Sequence, residues 1–94
     1  MAHARKKLPV FPGVGQLHFR GFDGPVNYEI LGDPSTLRLG PLRLRGSLTT
    51  TPEIAAEAFR EGEAVLTLES GAAYRLTMVG HTAGAEAVYF EMRI

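Results

Sequence analysis

The sequence predicts a mainly β domain: an antiparallel β sandwich or small, partly open barrel of about six to seven strands, with one short helix between two meanders. Three observations carry this reading. Short segments alternate apolar and polar residues with period two, dense Gly, Pro, Asp and Ser signals separate them, and one stretch alone has helical spacing between cap residues. Residues 1–14 read as a flexible basic arm, residues 15–94 as one antiparallel domain, and the helix falls near 52–61.

The elements follow in order. Leu17 and Phe19 alternate with Gln16, His18 and Arg20, the mark of a half-buried strand. Gly21-Phe22-Asp23-Gly24-Pro25 reads as a turn, and Val26, Tyr28 and Ile30 then alternate with Asn27 and Glu29 as a second strand. Gly32-Asp33-Pro34-Ser35 closes that strand. Leu37-Arg38-Leu39 and Leu42-Arg43-Leu44-Arg45, joined at Gly40-Pro41, predict two short strands with leucines on one face and arginines on the other. Pro41 lacks an N–H and so suggests a sheet edge.

Thr50-Thr51-Pro52-Glu53 is the helix start: a threonine hydroxyl caps free N–H groups, Pro52 is tolerated in the first turn, and Glu53 stands three residues after Thr50 as in a capping box. Ile54, Ala55, Ala58 and Phe59 form the apolar stripe, with Ile54 and Phe59 expected to dock it, and Gly62 is the stop. Three further alternating strands complete the chain, with Ala64, Leu66 and Leu68, then Tyr74, Leu76 and Met78, then Val88, Phe90, Met92 and Ile94 facing inward.

A chain of 94 residues has room for a single core, and 45% hydrophobic with 21% charged residues is the composition of a folded domain rather than a disordered one. The absence of cysteine excludes disulfides, zinc ribbons, thiol nucleophiles and iron–sulfur ligation. No apolar run is long enough to span a membrane as a helix, and Pro9, Pro12, Gly13 and Gly15 interrupt the position of a signal-peptide core, so a cytoplasmic, soluble protein is expected.

The net charge is zero, yet residues 1–47 carry seven Lys and Arg against three Asp and Glu, and residues 48–94 carry three against seven. That split fits an anion-binding face or self-association between unlike halves.

The candidate sites follow from this charge pattern. Arg20, Arg38, Arg43 and Arg45 are the candidate anion- or nucleic-acid-binding set, since guanidinium forks match phosphate oxygens and Tyr28, Tyr74 or Tyr89 offer stacking surfaces for bases. The bland alternative is a solvated face whose arginines pair with glutamates of the acidic half. Glu53, Glu57 and Glu61 lie at i, i+4 and i+8 on one helix face, either a solvent-facing side or a partner-binding stripe.

Neither His3, His18 nor His81 has metal-ligand spacing, no cofactor motif is complete, and neither metal nor cofactor is expected. His81 in its Gly-rich loop and Asp23 in its turn are the lone candidates for catalysis at a cavity mouth.

The function expected is a non-catalytic interaction module of unknown partner, self-associating as a homo-oligomer through a strand edge or complementary charged faces. The alternatives are anion or nucleic-acid binding through an arginine-rich sheet face, and a small-ligand barrel or enzyme.

Overall fold

A computed structural model describes residues 10–32 and 43–93. Six antiparallel strands close into a barrel: β1 (Val10–Phe19), β2 (Phe22–Leu31), β3 (Leu44–Thr49), β4 (Glu63–Thr67), β5 (Ala73–His81) and β6 (Ala87–Arg93), in the order β1-β2-β3-β6-β5-β4 with β4 returning to β1. Full closure goes beyond the sandwich or partly open barrel read from the sequence: every strand has a neighbour on both sides over part of its length, while Val10–Gly15 of β1 and Phe22–Val26 of β2 are paired on one side only. The single helix, α1 (Pro52–Glu61), joins β3 to β4 and packs against β4, β5 and β6 at one end of the barrel.

The alternation expected from the sequence holds around the barrel. Leu17, Ile30, Leu48, Leu66, Leu76, Val88, Phe90 and Met92 are fully buried and fill the interior, with no buried polar or charged side chain among them. Each strand buries every second residue because closure gives one face to the core and the other to solvent. Gly46 shows how tightly the interior is filled. It pairs with Ile30 and Phe90, and a Cβ there would collide with the Glu29 carbonyl oxygen and come within 2.6 Å of the Phe90 ring.

Several boundaries differ from the sequence reading. β1 begins at Val10, so residues 10–14 of the expected arm are ordered strand, paired with Asn27–Leu31 of β2. Their side chains carry too little apolar alternation to announce it: Gly13 and Gly15 occupy inward positions where Tyr28 and Leu66 already fill the space. The first hairpin turns tightly at Arg20-Gly21, and Phe22 to Pro25 belong to β2. Pro25 lies beyond the last rung β2 shares with β3, where a missing N–H is tolerated. The expected strand at Leu37–Leu39, with Arg38 and the Gly40-Pro41 junction, lies outside the described residues, as does Ile94.

The helix occupies its expected span, with changes in detail. Thr51 rather than Thr50 is the N-cap, its Oγ1 accepting the Ile54 N–H at 3.2 Å, so Glu53 sits in the first turn without closing a capping box. Gly62 ends the helix at φ 85°, its N–H donating to the Ala58 carbonyl. Ala55 and Ala58 are the residues buried on the barrel, with Ile54 beside them, whereas Phe59 stays 42% exposed against the His81 ring. The docking face is therefore made by Ala55 and Ala58 with Ile54, and not by Phe59. No helix of the described structure is long and apolar enough to cross a membrane.

Candidate functional site

The strand directions divide the barrel into a helix end and a far end. The last residues of β3 and β5 and the first of β4 and β6 lie with α1; the first of β3 and β5 and the last of β6 lie opposite. Arg45 comes from the start of β3 and Arg43 from the residue before it, and both guanidinium groups reach the carboxylate of Glu91 on β6, at 3.6 Å from Arg43 Nη1 and 3.7 Å from Arg45 Nε. This is the pairing with the acidic half that the solvated-face reading anticipates, but one carboxylate serves two arginines. With the arginine side chains 61% and 76% exposed, water screens both pairs and each contributes little to stability.

Two arginines absent from the sequence-derived set complete this face. Arg75 of β5 stands directly opposite Arg93 of β6, and Arg43 lies next beyond the Leu44–Met92 rung, level with Arg93. Three consecutive strands therefore present Arg43, Arg93 and Arg75 side by side, about 4.8 Å apart from strand to strand. Like charges directly opposite on paired strands destabilise a sheet. Among the described residues, neither Arg75 nor Arg93 forms an ion pair with a carboxylate.

Arg75 and Arg93 escape a sequence reading because they lie in the acidic half of the chain. What brings them together is register, set partly by a bulge at Val79 that inserts an extra residue between the Met78–Phe90 and Gly80–Tyr89 rungs. The outward positions of Arg75 and Arg93 in their strands were the one available signal.

Arg20 does not join them. It sits at the β1–β2 turn on the helix end, whereas Arg45 pairs with Leu31 at the other end of β2. At about 3.4 Å per residue, the nine steps from Phe22 to Leu31 separate them by roughly 30 Å along the strand. Arg38 lies outside the described residues. Glu53, Glu57 and Glu61 are all exposed along one side of α1, as their spacing predicts, at the end of the barrel opposite the arginines.

Two clefts flank the arginine face. One, of about 500 Å³, crosses the outer surface of β2, β3, β6 and β5; Leu31, Val79 and Tyr89 are its apolar walls, and Glu29, Arg45 and Glu91 are its charges. The other, of about 580 Å³, is lined by Val65, Ala73, Tyr74, Arg75 and Arg93.

His81 and Asp23 line neither of these, nor the two shallower clefts along β1 and β2. His81 Nε2 contacts the Ala85 carbonyl oxygen at 3.1 Å, and Asp23 Oδ1 accepts from Gln16 Nε2 at 2.8 Å with the His18 ring 3.8 Å away, so both serve local loop and hairpin structure. No group of three His, Asp or Glu side chains among the described residues is placed to hold a metal ion.

Comparison with known proteins returns no match, whether to a family model, a curated protein or a solved structure.

Proposed function

We propose that this protein is a non-catalytic interaction module that captures an anionic partner on the far end of its barrel, through Arg43, Arg45, Arg75 and Arg93. The observation that carries the reading is the Arg75–Arg93 pair. The fold accepts two cations directly opposite one another, without a described carboxylate on either, an arrangement whose like-charge repulsion destabilises paired strands. Local rules of stability broken at one spot are expected where a ligand supplies the compensation. The barrel is closed and its interior filled with buried side chains, and Arg45, Arg75 and Arg93 stand on its strands, with Arg43 just before β3.

The test is a fluorescence-anisotropy titration with a labelled single-stranded oligonucleotide as the anionic probe, at low and then physiological salt. Binding is expected to weaken steeply with salt, by a slope of roughly 0.7 per phosphate contacted on a log–log plot. Replacing all four arginines by alanine abolishes it, while Arg20→Ala leaves it unchanged. Binding that survives the fourfold variant would refute the site.

A second reading, self-association, is supported by the placement of opposite charges at opposite ends: the Glu53, Glu57 and Glu61 stripe on α1 and the arginines on the far end. Contacts of that kind join unlike surfaces and build chains or rings rather than simple twofold dimers, unless two barrels lie antiparallel.

A further inference from the structure

We infer that the one-sided stretches of β1 and β2 are closed to strand addition by Pro12, Pro25 and Glu69, so that a partner or a second copy meets this barrel through side chains and not along a strand edge. The inference stands apart from the anion-binding reading and removes one of the two routes to self-association expected from the sequence.

These stretches are where the barrel still offers backbone. Among the described residues, Val10–Gly15 of β1 pairs with β2 alone, and Phe22–Val26 of β2 pairs with β1 alone. Unpaired N–H and C=O groups in a row are a template for another strand. The β1 stretch is also apolar at its surface, with Val10, Phe11 and Val14 exposed by 51%, 38% and 53%. An edge of that composition invites aggregation unless something blocks it.

One hydrogen bond fixes the direction of every amide here. The Val14 N–H donates to Glu69 Oε2 at 2.9 Å, so it points away from β2. The β1–β2 register runs from Val10 to Phe19 without a bulge, and amides alternate sides along it, so residues 10, 12, 16 and 18 point the same way as Val14. Gln16 and His18 meet Thr67 and Val65 of β4 on that side, whereas Val10 and Pro12 have no strand partner there. Residues opposite one another point away from their shared ladder together. Pro25, opposite Gln16, and Asp23, opposite His18, therefore stand on the unpaired side of β2.

Both prolines occupy positions where an incoming strand needs an N–H, and neither has one. On β1 the next donor, Val14, is already taken by Glu69. Glu69 is itself held in place: its N–H donates to Tyr28 Oη at 3.3 Å, and its turn is closed by the Leu68 N–H on the Ala72 carbonyl at 2.8 Å. A Cβ at Gly13 would collide with the Tyr28 phenol and come within 3.1 Å of the Glu69 carboxyl carbon, so both groups lie against the β1 backbone. At the remaining position on β2, Asp23 places a charge on the edge, which also disfavours pairing.

Amide hydrogen exchange by nuclear magnetic resonance and sedimentation velocity of the full chain, both in about 1 M salt, test this. The screening length there is about 3 Å, so assembly through the charged ends is suppressed and does not enter the result. The unmodified chain is expected to stay monomeric as its concentration rises. Glu69→Ala should speed exchange of the Val14 amide by roughly tenfold or more, the loss of one hydrogen bond to a charged acceptor, and Glu69→Gln, which keeps an acceptor, should change it less. Adding Pro12→Val and Pro25→Val to Glu69→Ala should give a mass that rises with concentration and new protection of the Val10 and Val14 amides.

A triple variant that is folded by circular dichroism and as monomeric as the unmodified chain overturns the inference. So does an unmodified chain that associates in high salt with protection at Val10 and Val14. An unchanged Val14 exchange rate in Glu69→Ala overturns the part given to Glu69. If the triple variant does not fold, Pro12→Val with Glu69→Ala carries the test, judged by the same mass and the same protection.

Discussion

Arg93 and Arg75 show what one rung of a sheet can reveal. If the repulsion between them is tolerated for the sake of a ligand, removing one charge should relieve it. Arg93→Thr is expected to stabilise the free protein at low salt by roughly 0.2 to 1 kcal/mol, the range of cross-strand pair effects, as read by urea denaturation. The gain should shrink at 1 M salt, where the screening length falls to about 3 Å. A loss of stability at low salt would mean that Arg93 makes a favourable contact instead.

Gly46 carries the opposite kind of prediction. Gly46→Ala forces a methyl group onto the Glu29 carbonyl and the Phe90 ring and should cost about 1 to 3 kcal/mol in the same experiment, as overpacked cores do. An unchanged denaturation midpoint would show that β2 and β3 can part there. Neither residue's role was visible in the sequence. Gly46 sits in an Arg-Gly-Ser run that reads like an ordinary strand, and its neighbours are supplied by β2 and β6.

At the level of elements, the sequence was most informative where structure is local. The bounds of α1 follow from Pro52 and Gly62, and the inward faces of β4, β5 and β6 follow from alternation, because both signals depend on near neighbours alone. What alternation does not encode is which strands pair and in what register. The arginine set read from the sequence therefore mixed Arg20, at the helix end, with Arg43 and Arg45 at the far end, and omitted Arg75 and Arg93.

Phe59 illustrates a second limit. Helical spacing placed it on the apolar stripe, but the barrel mouth accepts Ala55 and Ala58 and leaves the larger ring beside His81.

The helix can be tested by itself. Thr51→Ala removes the cap on the Ile54 N–H and should destabilise the protein by about 1 kcal/mol, whereas Thr50→Ala should have a far smaller effect, the two being compared by thermal denaturation. Glu57→Lys turns the like-charge spacings to Glu53 and Glu61 into opposite-charge ones but makes the spacing to Arg60 like-charged, so it should stabilise the protein by only a few tenths of a kcal/mol in all.

For the whole molecule, the net charge of zero conceals an electrical polarity. The division into a basic first half and an acidic second half does not survive folding unchanged, since Arg75 and Arg93 come from the acidic half and join Arg43 and Arg45 at one end. The polarity that matters lies along the barrel, with α1 and its glutamates at the other end. If that polarity drives self-association, light scattering at low salt should show a mass that rises with protein concentration. Substituting Glu53, Glu57 and Glu61 together by alanine should return the protein to a monomer, and a constant monomer mass in the unmodified protein would dismiss the second reading.

The most direct test of the anion-binding face is to map, residue by residue, where an anion acts. Backbone amide shifts recorded by nuclear magnetic resonance during titration with a short single-stranded oligonucleotide should move at Arg43–Arg45, at Ala73–Arg75 and at Glu91–Arg93, and those shifts should fade as salt is added. Shifts gathered instead around Arg20 and the first hairpin, or spread evenly over the barrel, would contradict the assignment of the far end as the binding face.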